Sequence, residues 1–113
     1  MEIISSNLTI HVADLQRAIT FYQSIGFTVK QVWEPHYAQL KAPNLTIGLH
    51  PSKNKAPDSG NLSIGFEVQD LELNKSELQK LSISFEARQD EGGSFLHFAD
   101  PDGTKLYFVK TTW

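Results

Sequence analysis

Between residues 3 and 12 the chain alternates apolar and polar positions, with Leu8, Ile10 and Val12 on one side and Asn7, Thr9 and His11 on the other. Period two with one apolar face predicts a half-buried strand. The period then lengthens. Leu15, Ala18, Ile19, Tyr22 and Ile25 recur at helical spacing behind Asp14, a capping residue, and Gly26 closes the segment as a C′ glycine. Three short strands follow over 27–33, 37–41 and 44–50, punctuated by Pro35 and by Ala42-Pro43-Asn44. The stretch 51–60 is polar and rich in Pro, Ser, Lys and Asp, which reads as an exposed linker.

The cycle then restarts. A strand over 62–69 leads to the cap Asp70, and Leu71, Leu78 and Leu81 mark the inner face of a second helix. Where the first helix has Gly26 the second has Ser82, which must adopt a left-handed conformation or end the helix differently. Strands near 83–89, 94–99 and 104–110 complete the copy. The last two are joined by Asp100-Pro101-Asp102-Gly103, with Asp, Pro and Gly where a type I turn prefers them. Gly92-Gly93 reads as the hairpin turn before the strand at 94–99.

Val12-Ala13-Asp14-Leu15 thus returns as Val68-Gln69-Asp70-Leu71, 56 positions later in a chain of 113. Each copy is a βαβββ module, and a period of half the chain predicts an α+β fold made by duplication. Module one spans 1–50, the linker 51–60 and module two 61–113. Burial becomes marginal below about 60 residues, so the modules are expected to form a single domain with a shared core or to pair with another chain. The surface where two such modules meet is the natural place for a cleft.

Composition narrows the function. A formal net charge of −3, with ten Lys and Arg residues scattered and no basic stripe, argues against nucleic acid. No apolar run approaches the roughly 18–20 residues of a membrane span and no signal peptide opens the chain, so a cytoplasmic protein is expected. The absence of cysteine removes disulfides, thiolate metal sites and Cys nucleophiles. Sequons at Asn7, Asn44 and Asn61 read as chance strand-start patterns. No Ser-His-Asp spacing or phosphate-cradling glycine loop occurs, and no catalytic residue is assigned.

The tandem βαβββ, the Val-x-Asp-Leu pair with Phe21-Tyr22 and Gly26-Phe27, and the closing Phe98-Ala99-Asp100-Pro101-Asp102-Gly103 together resemble the vicinal oxygen chelate superfamily over essentially the whole chain. That superfamily includes glyoxalase I, extradiol dioxygenases, fosfomycin-resistance transferases and bleomycin-resistance proteins. The resemblance implies two modules curled into half-open sheets around a cleft, often with modules of two chains combined, and therefore a homodimer. Its metal-dependent members take four His or Glu ligands from the first and last strand of each module. Carried over, those positions are Asn7, Gly48, Ser63 and Tyr107. Glycine has no donor, Asn and Ser are weak ligands, and neutral tyrosine rarely coordinates, so the resemblance implies a branch without the metal cofactor, like the bleomycin-resistance proteins.

A different constellation is conceivable. Strand parity puts His11 on the Asn7 side, His50 on the Gly48 side and Glu67 on the Ser63 side, with His97 also facing inward. His11, four residues beyond Asn7, would lie roughly 13 Å along the strand from the superfamily position. The alternatives are a relocated His11/His50/Glu67 metal site, acid–base chemistry between Glu67 and His11, or solvated rim histidines and a rim ion pair. Trp33, Tyr37, Phe95, Tyr107 and Trp113 can line the cleft, although Trp33 and Phe95 suit a core or dimer interface equally well. Phe21, Phe27, Phe66, Phe98 and Phe108 are assigned to the core.

Two functions follow. One is a metal-independent small-molecule-binding protein, of the kind that confers antibiotic resistance by sequestration, holding a small aromatic or polar compound in its cleft. Its ligand-binding residues are Asn7, Thr9, His11, Trp33, Tyr37, His50, Ser63, Glu67, His97 and Tyr107. The other is a metal-dependent lyase, isomerase or dioxygenase using His11, His50 and Glu67.

Overall fold

A computed structural model describes residues 1–111; Trp113 lies outside the described residues. The chain is α+β, with two four-stranded mixed sheets and one helix accompanying each. It divides into two compact units, Met1–Pro57 and Asp58–Trp113.

The first unit contains β1 (Leu8–Val12), α1 (Leu15–Ser24), β2 (Thr28–Trp33), β3 (Tyr37–Ala42) and β4 (Leu45–Pro51). Its sheet has the order β1-β4-β3-β2, with β1 parallel to β4 and the other pairs antiparallel. The Asp14 carboxylate accepts from the Arg17 N–H at 3.0 Å and starts the helix. Gly26, at φ 114°, ends it: the Gly26 N–H donates to Gln23 O at 3.1 Å and the Phe27 N–H to Tyr22 O at 2.9 Å, the paired bonds of a Schellman motif. Leu15, Ala18, Ile19 and Tyr22 are buried on α1, over a sheet face whose Ile10, Val12, Ala38, Leu40, Ile47 and Leu49 are also buried. Each large side chain among them contributes about 1.5–3 kcal/mol by leaving water. A bulge at Lys30 resets the parity of β2, so that Val29 and Val32 pair with the buried Leu40 and Ala38 while Trp33 comes opposite Tyr37.

The second unit repeats the plan with β5 (Ser63–Glu67), α2 (Leu71–Lys80), β6 (Glu86–Asp90), β7 (Gly93–Ala99) and β8 (Lys105–Thr111), in the order β5-β8-β7-β6. Asp70 caps α2 by accepting from the Leu73 N–H at 3.1 Å. Ser82 takes the left-handed conformation, φ 58°, and the Schellman bonds form around it from Ser82 to Gln79 O and from Ile83 to Leu78 O. Ile64, Leu96, Phe98, Leu106, Phe108 and Leu78 are its buried core. In the closing turn the Gly103 N–H donates to Asp100 O at 3.1 Å. The buried Asp100 carboxylate accepts from the backbone of Asp102 and Thr104 at 2.9 and 2.8 Å.

Several sequence expectations are corrected. The first strand begins at Leu8, and residues 1–7 have no regular structure, with Ile3 and Ile4 exposed. The partner strand β4 starts only at Leu45, two residues before the Leu8↔Ile47 pair, so β1 has little left to pair with. The strand expected from 83 begins at Glu86, because Ile83 is used in closing α2. Leu81 is the helix C-cap and 41% exposed rather than inward. Phe21 and Phe66 are half-buried, whereas Phe27, Phe98 and Phe108 are core.

Candidate functional site

Each sheet has one face under its helix and one face turned away from it. On β1 the buried residues are Ile10 and Val12, which leaves Thr9 and His11 exposed on the opposite side. On β5 Ile64 is buried and Phe66 half-buried, which leaves Ser63, Gly65 and Glu67 exposed. Cross-strand register extends these two open faces.

The open face of the first unit carries Thr9, His11, Trp33, Tyr37, Gly48 and His50. Trp33 and Tyr37, paired across the β2–β3 hairpin, stack with ring centres 5.7 Å apart and planes at 27°. The Tyr37 ring lies over Gly48, so closely that a Cβ there would collide with the phenol. His11 and His50 are register partners on the parallel β1–β4 pair, with ring centres 5.5 Å apart. Asn7 falls just before β1 and is exposed, so it does not share the strand's fixed geometry.

The second unit's open face carries Ser63, Gly65, Glu67, Phe95, His97 and Tyr107. Phe95 and His97 stack at 5.8 Å and 21°, and Tyr107 closes the group at 5.7 Å from His97 and 6.0 Å from Phe95. Tyr107 lies on its register partner Gly65, again where a Cβ would collide with the ring. Both faces are therefore built on one device, a tyrosine ring laid flat on a bare strand backbone. Glycine in a strand interior marks such close approaches, but which ring covers which glycine depends on cross-strand register. Only the glycines themselves, central in otherwise apolar strands, signalled it.

This device decides how the superfamily's metal positions are used. Gly48 offers no donor, and the space its side chain would fill is taken by Tyr37. Tyr107 is laid against Gly65 within the Phe95–His97 group. Asn7 and Ser63 complete a set with neither imidazole nor carboxylate. These residues do not fit the metal that the superfamily's metal-dependent members hold. Within each unit, the described residues gather no group of three or more His, Asp or Glu side chains placed to hold a metal.

A family model for the glyoxalase/bleomycin resistance protein/dioxygenase superfamily matches residues 5–108. The chain belongs to this superfamily. A search of curated proteins by sequence finds no match. Among solved structures, a bleomycin-binding protein complexed with bleomycin is similar, with a TM-score of 0.74 at 18% identity, covering 96% of this chain and 99% of that one. The fosfomycin resistance protein FosX of Listeria monocytogenes aligns with a TM-score of 0.79 at 20% identity, over 99% and 94% of the two chains. A glyoxalase family protein of Enterococcus faecalis gives 0.77 at 24%, over 92% and 94%. These likenesses establish the superfamily's fold. No helix of the described residues is long and apolar enough to cross a membrane.

Proposed function

We propose that this superfamily member binds a small planar aromatic or polar compound against its open sheet faces, without a metal at the superfamily's ligand positions and without turning the compound over. The ring-on-glycine packing of Tyr37 and Tyr107 carries the reading, because it fills the space of one metal ligand and presents flat aromatic surface instead. Flat rings with polar tips suit a planar ligand, each stack adding about 0.5–1.5 kcal/mol beyond burial. Trp33 and Tyr37 form an aromatic wall on the first unit's face, with Asn7, Thr9, His11 and His50 for polar contacts, and His97 and Tyr107 form one on the second unit's face, with Ser63 and Glu67. The likeness to a bleomycin-binding protein supports binding of a small molecule, and the likeness to a fosfomycin resistance protein supports antibiotic resistance as its use. The protein works in the cytoplasm as a homodimer. Each sheet ends in two outer strands, and strand edges are normally covered.

The test is a calorimetric titration with bleomycin as probe, with and without excess EDTA, alongside native mass spectrometry for co-purifying compounds. Binding that persists in EDTA and weakens in Tyr107→Ala/His97→Ala is expected. Binding abolished by EDTA and restored by metal would refute metal independence, and full affinity in the double variant would refute the aromatic wall.

A further inference from the structure

The His11–His50 pair has no part in the tyrosine–glycine contacts and does not occupy the superfamily's metal positions. It lies four residues along β1 from Asn7 and two along β4 from Gly48, roughly 13 Å and 7 Å away at strand rise. Both imidazoles are exposed, and neither makes a hydrogen bond or ion pair among the described residues; their ring contact is with each other. The strands beneath them are anchored in the core. Val12 and Leu49 are fully buried, and the Ser52 N–H donates to Val12 O at 2.9 Å, extending the β1–β4 pairing past the histidines. Two imidazoles are thus presented side by side from adjacent parallel strands at one register position.

Their spacing matches shared coordination. With a metal–nitrogen bond of about 2.0–2.1 Å, an imidazole centre lies about 3.2 Å from the ion, so two ligands at a tetrahedral angle have centres about 5.2 Å apart. The observed separation is 5.5 Å, with ring planes at 65°. Imidazole favours Zn, Cu and Ni over the hard cations Mg and Ca. No third His, Asp or Glu of the first unit completes a metal group, so the remaining positions fall to water or a ligand atom.

We propose that His11 and His50 form a two-imidazole site for an exchangeable divalent transition metal, open on its solvent side. With only two protein ligands the ion dissociates readily, so binding here does not conflict with a binding function that needs no metal at the superfamily positions.

The experiment is calorimetric titration of the EDTA-stripped full-length chain with Zn2+, Ni2+ and Mg2+, with no organic ligand present. One Zn2+ or Ni2+ per chain is expected and no Mg2+. Losing either imidazole removes the chelate advantage, so His11→Ala and His50→Ala should each weaken binding by about tenfold or more. His36→Ala should leave it unchanged. Broadening by Ni2+ of imidazole resonances should be confined to His11 and His50. No saturable binding, or binding insensitive to both His11→Ala and His50→Ala, would overturn the site. Because the titration contains no bleomycin, its outcome is independent of the aromatic-wall test.

Discussion

The two modules share a chain plan but hold their helices differently. α1 buries four side chains, Leu15, Ala18, Ile19 and Tyr22, and packs across β2, β3 and β4. α2 buries only Leu78 and packs on β7 and β8, while Leu73 is 56% exposed. Beside it remains a groove of about 290 Å³, lined by Leu71, Glu72 and Lys75 of the helix and by Ala87 and Leu96 of the strands. The second helix relies more on local terms, with Glu72 in its first turn and Lys80 in its last, each complementing the helix dipole. The open faces reach a similar contact through different strands: Tyr37 of β3 lies on Gly48 of β4, and Tyr107 of β8 on Gly65 of β5. The helix layer has only to cover a core, whereas the ring-on-glycine contact has to keep its geometry.

The sharpest way to break this comparison is to truncate each helix at its most buried large residue. Tyr22→Ala should cost about 3–5 kcal/mol and Leu78→Ala about 2–3, since both leave cavities in closed packing. Leu73→Ala should stay within about 0.5 kcal/mol. Urea unfolding followed by circular dichroism measures all three. A Leu73→Ala loss as large as that of Leu78→Ala would mean that α2 is buried by something other than its own sheet.

The ring-on-glycine contacts come next in size. Gly48→Ala forces its Cβ into the Tyr37 ring and Gly65→Ala into Tyr107. The far end of each ring can swing aside, so the expected loss is about 1–2 kcal/mol each, at the lower end of overpacking costs. In the Gly48→Ala/Tyr37→Ala double variant the clash disappears, and the two costs should be strongly non-additive. Simple additivity in the denaturant midpoints would show that the ring does not rest on Gly48 in solution.

These comparisons also show what a single sequence can carry. The period-two faces of β1 and β5 were legible because each strand has one buried side, and the face assignment of His11 and Glu67 came with them. α1 was legible from its spacing alone. Leu81 was misread because apolar periodicity continues past Lys80 while the backbone does not; the helix has already closed on Ser82. Ile3 and Ile4 look like strand, but a strand needs a partner, and β4 begins only at Leu45. The His11–His50 adjacency and the tyrosine–glycine contacts depend on which strands are neighbours. β1 and β4 are far apart in sequence, and no local pattern encodes their register.

The smallest difference between the modules concerns the two helix ends, where one backbone requirement is met by different residues. Gly26 sits at φ 114°, with nothing within 4 Å of where a Cβ would stand. Gly26→Ala therefore tests backbone conformation free of crowding, and a loss of about 1–2 kcal/mol is expected from the left-handed penalty. Ser82 already bears that kind of strain at φ 58°, so Ser82→Gly relieves it. The relief is partly offset, because glycine makes the unfolded chain more flexible by about 0.5–1 kcal/mol. The net result is a stabilisation below about 1 kcal/mol, opposite in sign to Gly26→Ala and smaller. Paired thermal and urea melts of the two variants decide the matter. Destabilisation by Ser82→Gly would mean that the serine side chain contributes a contact worth more than the strain it imposes, and the two Schellman ends would then differ in kind rather than in the residue that completes them.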